Sequence, residues 1–89
     1  MVKQLANNQF IVNTKNATYF QSYNSVVCKI DKTTNKVTLS NHWDYSVTTS
    51  KYLYKFLRDN GIYVYSKKDV LAKIKANKFR LINKNSISL

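Results

Sequence analysis

Glutamate and proline are absent from these 89 residues, glycine and cysteine occur once each, and the only acidic side chains are four aspartates. With Gly61 as the sole glycine, there is no loop of the kind that wraps its backbone around a phosphate. One cysteine, Cys28, and one histidine, His42, are too few for a Cys/His zinc cluster, and a lone thiol closes no intramolecular disulfide. Cys28 sits in the run Val26-Val27-Cys28 and reads as a small buried hydrophobe. Asp31, Asp44, Asp59 and Asp69 stand singly, never paired at i, i+3 or i, i+4, which weighs against a two-metal nuclease. No stretch reaches the ~18 consecutive apolar residues of a membrane helix. Residues 1–8 contain no apolar core of signal-peptide length. Without a linker, repeat or low-complexity tract, residues 1–89 read as a single small basic domain, made and kept in the cytoplasm.

Positive charge is what the chain has in excess. Lys and Arg total 15 against the four Asp, a formal net charge of +11. Part of this follows from a composition rich in Lys, Asn, Ile and Tyr and poor in Gly and Pro, the usual mark of an AT-rich genome. That bias does not account for the missing Glu, whose codons are no richer in GC than those of Asp. Self-repulsion at this charge costs stability, and a polyanionic partner is a common reason to carry it. Seven Tyr, four Phe and one Trp supply enough apolar mass for one packed core and weigh against a disordered chain.

The first half reads as extended. β-prone runs at 10–12, 17–22, 25–30 and 37–39 are separated by polar turns at 13–16 and 31–36, suggesting a meander of three or four strands. The period then changes. Thr48, Thr49 and Ser50 are N-cap candidates for a helix over 51–60, with Gly61 at C′. At 100° per residue, Tyr52, Leu53, Phe56 and Leu57 fall within about 140° on one side. Lys51, Lys55 and Arg58 fall within about 60° on the other, with Tyr54 on their flank. A short strand is expected at 62–65. Ser66 then opens a second helix, with Asp69 in the capping-box position and Val70, Leu71 and Ile74 as its apolar face. Residues 79–82 suggest a last strand, and a polar tail follows in which Ile87 and Leu89 are able to dock. The expected class is α+β, an antiparallel sheet of three to five strands packed against two α-helices.

Two segments hold candidate chemistry. The basic helical face, Lys51, Tyr54, Lys55 and Arg58, with Lys67, Lys68 and Lys75 from the second helix, suits attraction of phosphates. Because lysine acts as a point charge, such binding is expected to be tolerant of sequence and sharply weakened by salt. Reversing charge at Lys55 and Arg58 is expected to abolish it without lowering stability. The second segment is His42-Trp43-Asp44-Tyr45-Ser46. Locally extended, it turns His42 and Asp44 the same way, as an acid–base pair of a small hydrolase or nuclease. A packing reading makes Trp43 a lid between sheet and helix, and a binding reading makes Trp43 and Tyr45 exposed contacts.

The runs Gln21-Ser22-Tyr23-Asn24-Ser25 and Trp43-Asp44-Tyr45-Ser46-Val47-Thr48-Thr49-Ser50-Lys51 carry a resemblance. Q-S-Y-N-S followed by W-x-Y-S-x-T-T-x-K is similar to a family of small bacteriophage-encoded proteins of unknown function, over roughly residues 18–60. The resemblance implies a phage gene expressed in the host bacterium's cytoplasm, and it supplies no catalytic residues and no cofactor. Its implied role is a non-enzymatic accessory protein that binds nucleic acid or a host nucleoprotein or nuclease through its basic surface. Such a protein inhibits a host machine, anti-CRISPR activity being one form. A plain sequence-tolerant DNA- or RNA-binding protein of phage metabolism is the alternative, and the His42–Asp44 hydrolase or nuclease a further one. No metal and no membrane partner is expected.

Overall fold

Five antiparallel strands open the chain in the computed structural model, which describes residues 1–89. They are β1 (Val2–Ala6), β2 (Gln9–Asn13), β3 (Ala17–Ser22), β4 (Ser25–Asp31) and β5 (Val37–Leu39), each paired with the next. The helices α1 (Val47–Asp59) and α2 (Lys67–Lys75) follow, and β6 (Phe79–Leu81) returns parallel to β5 at the sheet's edge. Parallel neighbours need a crossover, and here both helices form it. The class is α+β as expected. The sheet, however, has six strands rather than three to five and is mixed rather than wholly antiparallel. No helix is long and apolar enough to cross a membrane.

Turn chemistry explains where the elements stop. Asn8, Asn35 and Asn77 take positive φ values of 61°, 59° and 58°, which asparagine tolerates better than most residues. Helix α1 begins earlier than expected, because Ser46 and not Thr48, Thr49 or Ser50 is the cap: its Oγ accepts the Thr49 N–H at 3.1 Å. At the other end Gly61 (φ 82°) donates to the Arg58 carbonyl and Ile62 to that of Leu57, a Schellman closure. Asn77 ends α2 the same way, with Asn77 and Lys78 donating to the Ile74 and Lys73 carbonyls.

The two sheet faces differ. Phe20, Ile30, Val37, Leu39 and Phe79 pack with Leu53, Phe56 and Leu57 of α1 and Val70 of α2 in one core. The Phe20 and Phe56 rings stack at 5.7 Å between centroids. Full burial of such a side chain is worth roughly 1.5–3 kcal/mol. A bulge in β4, where partners step from Phe20–Cys28 to Gln21–Val26, lets Val27 and Cys28 both join this core while Val26 faces the opposite side. Burial pushes the Cys28 thiol well above its ordinary pKa, so it behaves as a hydrophobe. On the far face Ala17, Tyr19 and Val26 form a smaller cluster with Ile87. The tail is pinned there: the Ile87 N–H donates to the Val26 carbonyl and Ser86 Oγ accepts the Val26 N–H, both at 2.9 Å. Leu89 remains exposed.

Residues 62–65 alternate like a strand but are not one. The Ile62 N–H closes α1, the Val64 carbonyl takes the Arg58 guanidinium, and the Tyr65 N–H donates to Asp69 Oδ2 at 2.9 Å, so no ladder is needed. Strand β1 was unanticipated because Val2, Lys3 and Gln4 are exposed and show no apolar face. Leu71, assigned to the apolar face of α2, is also exposed; Val70 is buried and Ile74 packs partly buried against the core.

Gln9 lies opposite Ser22 and is fully buried, with neither Nε2 nor Oε1 hydrogen-bonded. An unpaired buried amide costs about 1–3 kcal/mol. Gln9→Met, similar in shape, is therefore expected to raise Tm in thermal circular dichroism by about 4–8 °C per kcal/mol regained. A lower Tm would show that the amide is satisfied in solution.

Candidate functional site

Helix α1 is fastened from beneath by Leu53, Phe56, Leu57 and the buried Thr49. That leaves Lys51 and Lys55 exposed and Tyr54 and Arg58 half-buried on its flank. Lys51, Tyr54 and Arg58 line an open groove of about 650 Å³, together with Ser46, Ser50, Asp44, Tyr65 and Lys67. Lys67 arrives because Ser66 caps α2 beside it, and its Nζ lies 3.0 Å from Asp44 Oδ2. Arg58 Nη1 donates to the Val64 carbonyl at 2.9 Å, and its guanidinium carbon stands 5.0 Å from the Tyr65 ring centroid. The groove thus gathers three cations, one carboxylate and two tyrosines.

Not every residue expected at this surface belongs to it. Lys55 pairs with Asp59 at 2.9 Å, an i, i+4 contact, and lines no part of the groove. Lys68 and Lys75 are exposed on α2 and also lie outside it. Trp43 is only 4% exposed and packed in the core, which removes it as a contact and makes it the lid between sheet and helix. Tyr45 is exposed, but its ring lies against His42 at 5.1 Å beside a separate depression. Tyr65 was missed, because its alternating neighbours read as a strand and nothing in the sequence pairs it with Arg58.

The separate depression, about 190 Å³, is where the two motif segments meet: Ser22, Tyr23, Asn24 and Ser25 line it with His42, Tyr45 and Thr49. Ser22 Oγ and Thr49 Oγ1 share a buried hydrogen bond of 2.8 Å, and Ser46 Oγ donates to the same Thr49 oxygen at 3.1 Å. These hydroxyls tie the β3–β4 turn to the start of α1. Tyr23 holds that turn at φ 54°, a left-handed backbone in which a bulky residue is uncommon. His42 lines this depression and Asp44 the groove, with no hydrogen bond between them. No three His, Cys, Asp or Glu side chains gather as a metal site.

The profile of a family described as "Family of unknown function (DUF8033)" matches residues 1–75, and the chain belongs to that family. The matched span contains both motif segments and every residue of the groove. No curated protein and no solved structure matches the chain.

Two outcomes follow for stability. Thr49→Val strands the buried Ser22 hydroxyl and is expected to cost about 1–3 kcal/mol in urea unfolding. Arg58 serves the fold as well as the groove, so Arg58→Ala is expected to cost about 1–2 kcal/mol. Lys51→Ala, by contrast, should stay within about 0.5 kcal/mol in the same assay. Because Arg58 donates to the Val64 carbonyl, charge reversal there is expected to lower stability, unlike the expectation from the helical wheel, and Lys51 is the cleaner probe.

Proposed function

We propose that this member of the family binds nucleic acid through the groove of Lys51, Tyr54, Arg58, Tyr65 and Lys67, without catalysing a reaction on it. The observation that carries the reading is the convergence of three cations and two tyrosine rings, from two helices and the segment between them, on one open groove. Lysines attract phosphates without reading bases. Arg58 is held at the Val64 carbonyl and beside the exposed Tyr65 ring, and an aromatic ring next to a cation is a surface on which an unpaired base stacks. Asp44 pairs with Lys67, while Lys51 and Arg58 form no ion pair, so the groove keeps a net positive charge.

The biological consequence we propose rests on the motif resemblance to phage-encoded proteins. A small basic chain in the cytoplasm of an infected bacterium would occupy a host nucleoprotein or nuclease at its nucleic-acid channel, anti-CRISPR inhibition being one form. The hydrolase reading has no support from geometry, because His42 and Asp44 serve separate depressions.

A gel shift with short single- and double-stranded oligonucleotides across a salt series tests the binding. Affinity should fall steeply with salt, and Lys51→Glu should lower the log–log slope by at least the ~0.7–0.9 of one phosphate contact. Tyr65→Ala should weaken single-strand binding by about 1–3 kcal/mol. Absence of any shift at low salt would sink the reading.

A further inference from the structure

On the side of the sheet away from the helices, a depression of about 430 Å³ is lined by Lys29, Lys36, Lys78, Arg80, Asp31 and Thr38, among others. Its placement follows from strand alternation. Cys28 and Ile30, Val37 and Leu39, and Phe79 all face the helices, so Lys29, Thr38 and Arg80 face away. Register puts these three in one row, Lys29 opposite Thr38 and Thr38 opposite Arg80. The outer two are therefore about 10 Å apart, two inter-strand spacings. Lys36 reaches the row from the β4–β5 turn and Lys78 from the α2–β6 turn at Asn77.

The charge balance here is more one-sided than in the helical groove. Four cations face one carboxylate, and none of the four is in an ion pair; both ion pairs of the molecule, Lys55–Asp59 and Lys67–Asp44, involve helix residues. Asp31 stays ionised within the depression beside Lys29, so the lining carries a net excess of three positive charges, four cations less one carboxylate. Its Oδ1 accepts the Thr33 and Thr34 N–H groups at 2.8 and 2.9 Å, and these bonds, Thr34's foremost, hold the carboxyl below its ordinary pKa. Thr38 adds a hydroxyl to the lining, while that of Thr34 is engaged by Asp31 and the Lys36 N–H. Concentrated cations, on a face whose apolar cluster is already covered by Ile87, suit a chain of phosphates.

We infer that Lys29, Lys36, Lys78 and Arg80 form a second phosphate-backbone site, so that one chain holds two nucleic-acid segments, one on each side of the sheet. The inference rests on nucleic acid being the partner of the helical groove. Its sequence signal was weak, because the four cations are spread over residues 29–80 and share no helical face.

The test uses the full chain and a fluorescent single-stranded oligonucleotide of about eight nucleotides, within the usual site size of one small domain. Native mass spectrometry at low salt should show two oligonucleotides per chain. Lys78→Glu/Arg80→Glu should leave one, with a log–log salt slope lower by about 1.4 for the two lost contacts. The unchanged chain should also bridge a bead-bound oligonucleotide to the fluorescent one, and this variant should not. Lys36→Glu/Lys78→Glu, confined to turns, repeats the test should the first pair unfold, which circular dichroism reports. Wild-type stoichiometry and salt slope in a folded sheet-face variant would overturn the inference. The Lys51→Glu/Tyr65→Ala variant reads the groove separately. If it binds like wild type while the sheet-face variant loses its only oligonucleotide, the groove reading fails and the two-segment inference fails with it, leaving a single site on the sheet face. No binding by the unchanged chain overturns both.

Discussion

A strand that joins an antiparallel meander in the parallel sense forces the chain to cross the sheet before it can pair. In this protein that constraint acts once, between β5 and β6, and the crossing segment contains both helices. They therefore cover the same face, and the main core forms there. The opposite face keeps only the small cluster sealed by Ile87, and its remaining area is polar and basic. The groove is another product of the same crossing, since its walls are one flank of α1 from Val47 to Arg58, the start of α2 and the irregular segment between them.

With 15 cations and four carboxylates, the electrostatic surface is decided by where the aspartates go. Asp59 neutralises Lys55, and Asp44 meets Lys67. Asp31 and Asp69 accept backbone N–H groups of their own neighbourhoods and keep their charge there, Asp31 beside Lys29. Lys51 and Arg58 on one side, and Lys29, Lys36, Lys78 and Arg80 on the other, form no ion pair, although Asp31 lies in the second group's depression beside Lys29. The field is thus shaped less by the total of +11 than by four local capping and pairing choices.

The motif segments have a physical role that does not depend on any ligand. Ser22, Ser46 and Thr49 exchange hydrogen bonds where the β3–β4 turn meets the first turn of α1. Those bonds fix the helix on the sheet and so fix the direction in which Lys51, Tyr54 and Arg58 point. Residues distant in sequence thereby set the geometry of the groove, and Trp43 supports it from within the core.

Local periodicity by itself determined much of this protein. The apolar side of α1, its Gly61 closure, the Ser66 cap and the strands from β2 to β5 follow from side-chain spacing and turn chemistry, which act over a few residues. So did the presence of Lys51, Tyr54 and Arg58 on an outward flank. Tertiary structure decided the rest, because spacing shows which side of an element is apolar but not what the other side meets. Strand β1 forms because β2 offers an edge, and residues 62–65 stay irregular because helix ends and side chains satisfy their backbone. Trp43 is buried, Tyr65 is drawn to Arg58, and Lys29 aligns with Arg80 only through pairing across the sheet. Each depends on contacts between residues far apart in the chain, and such contacts exist only once the crossover has brought them together.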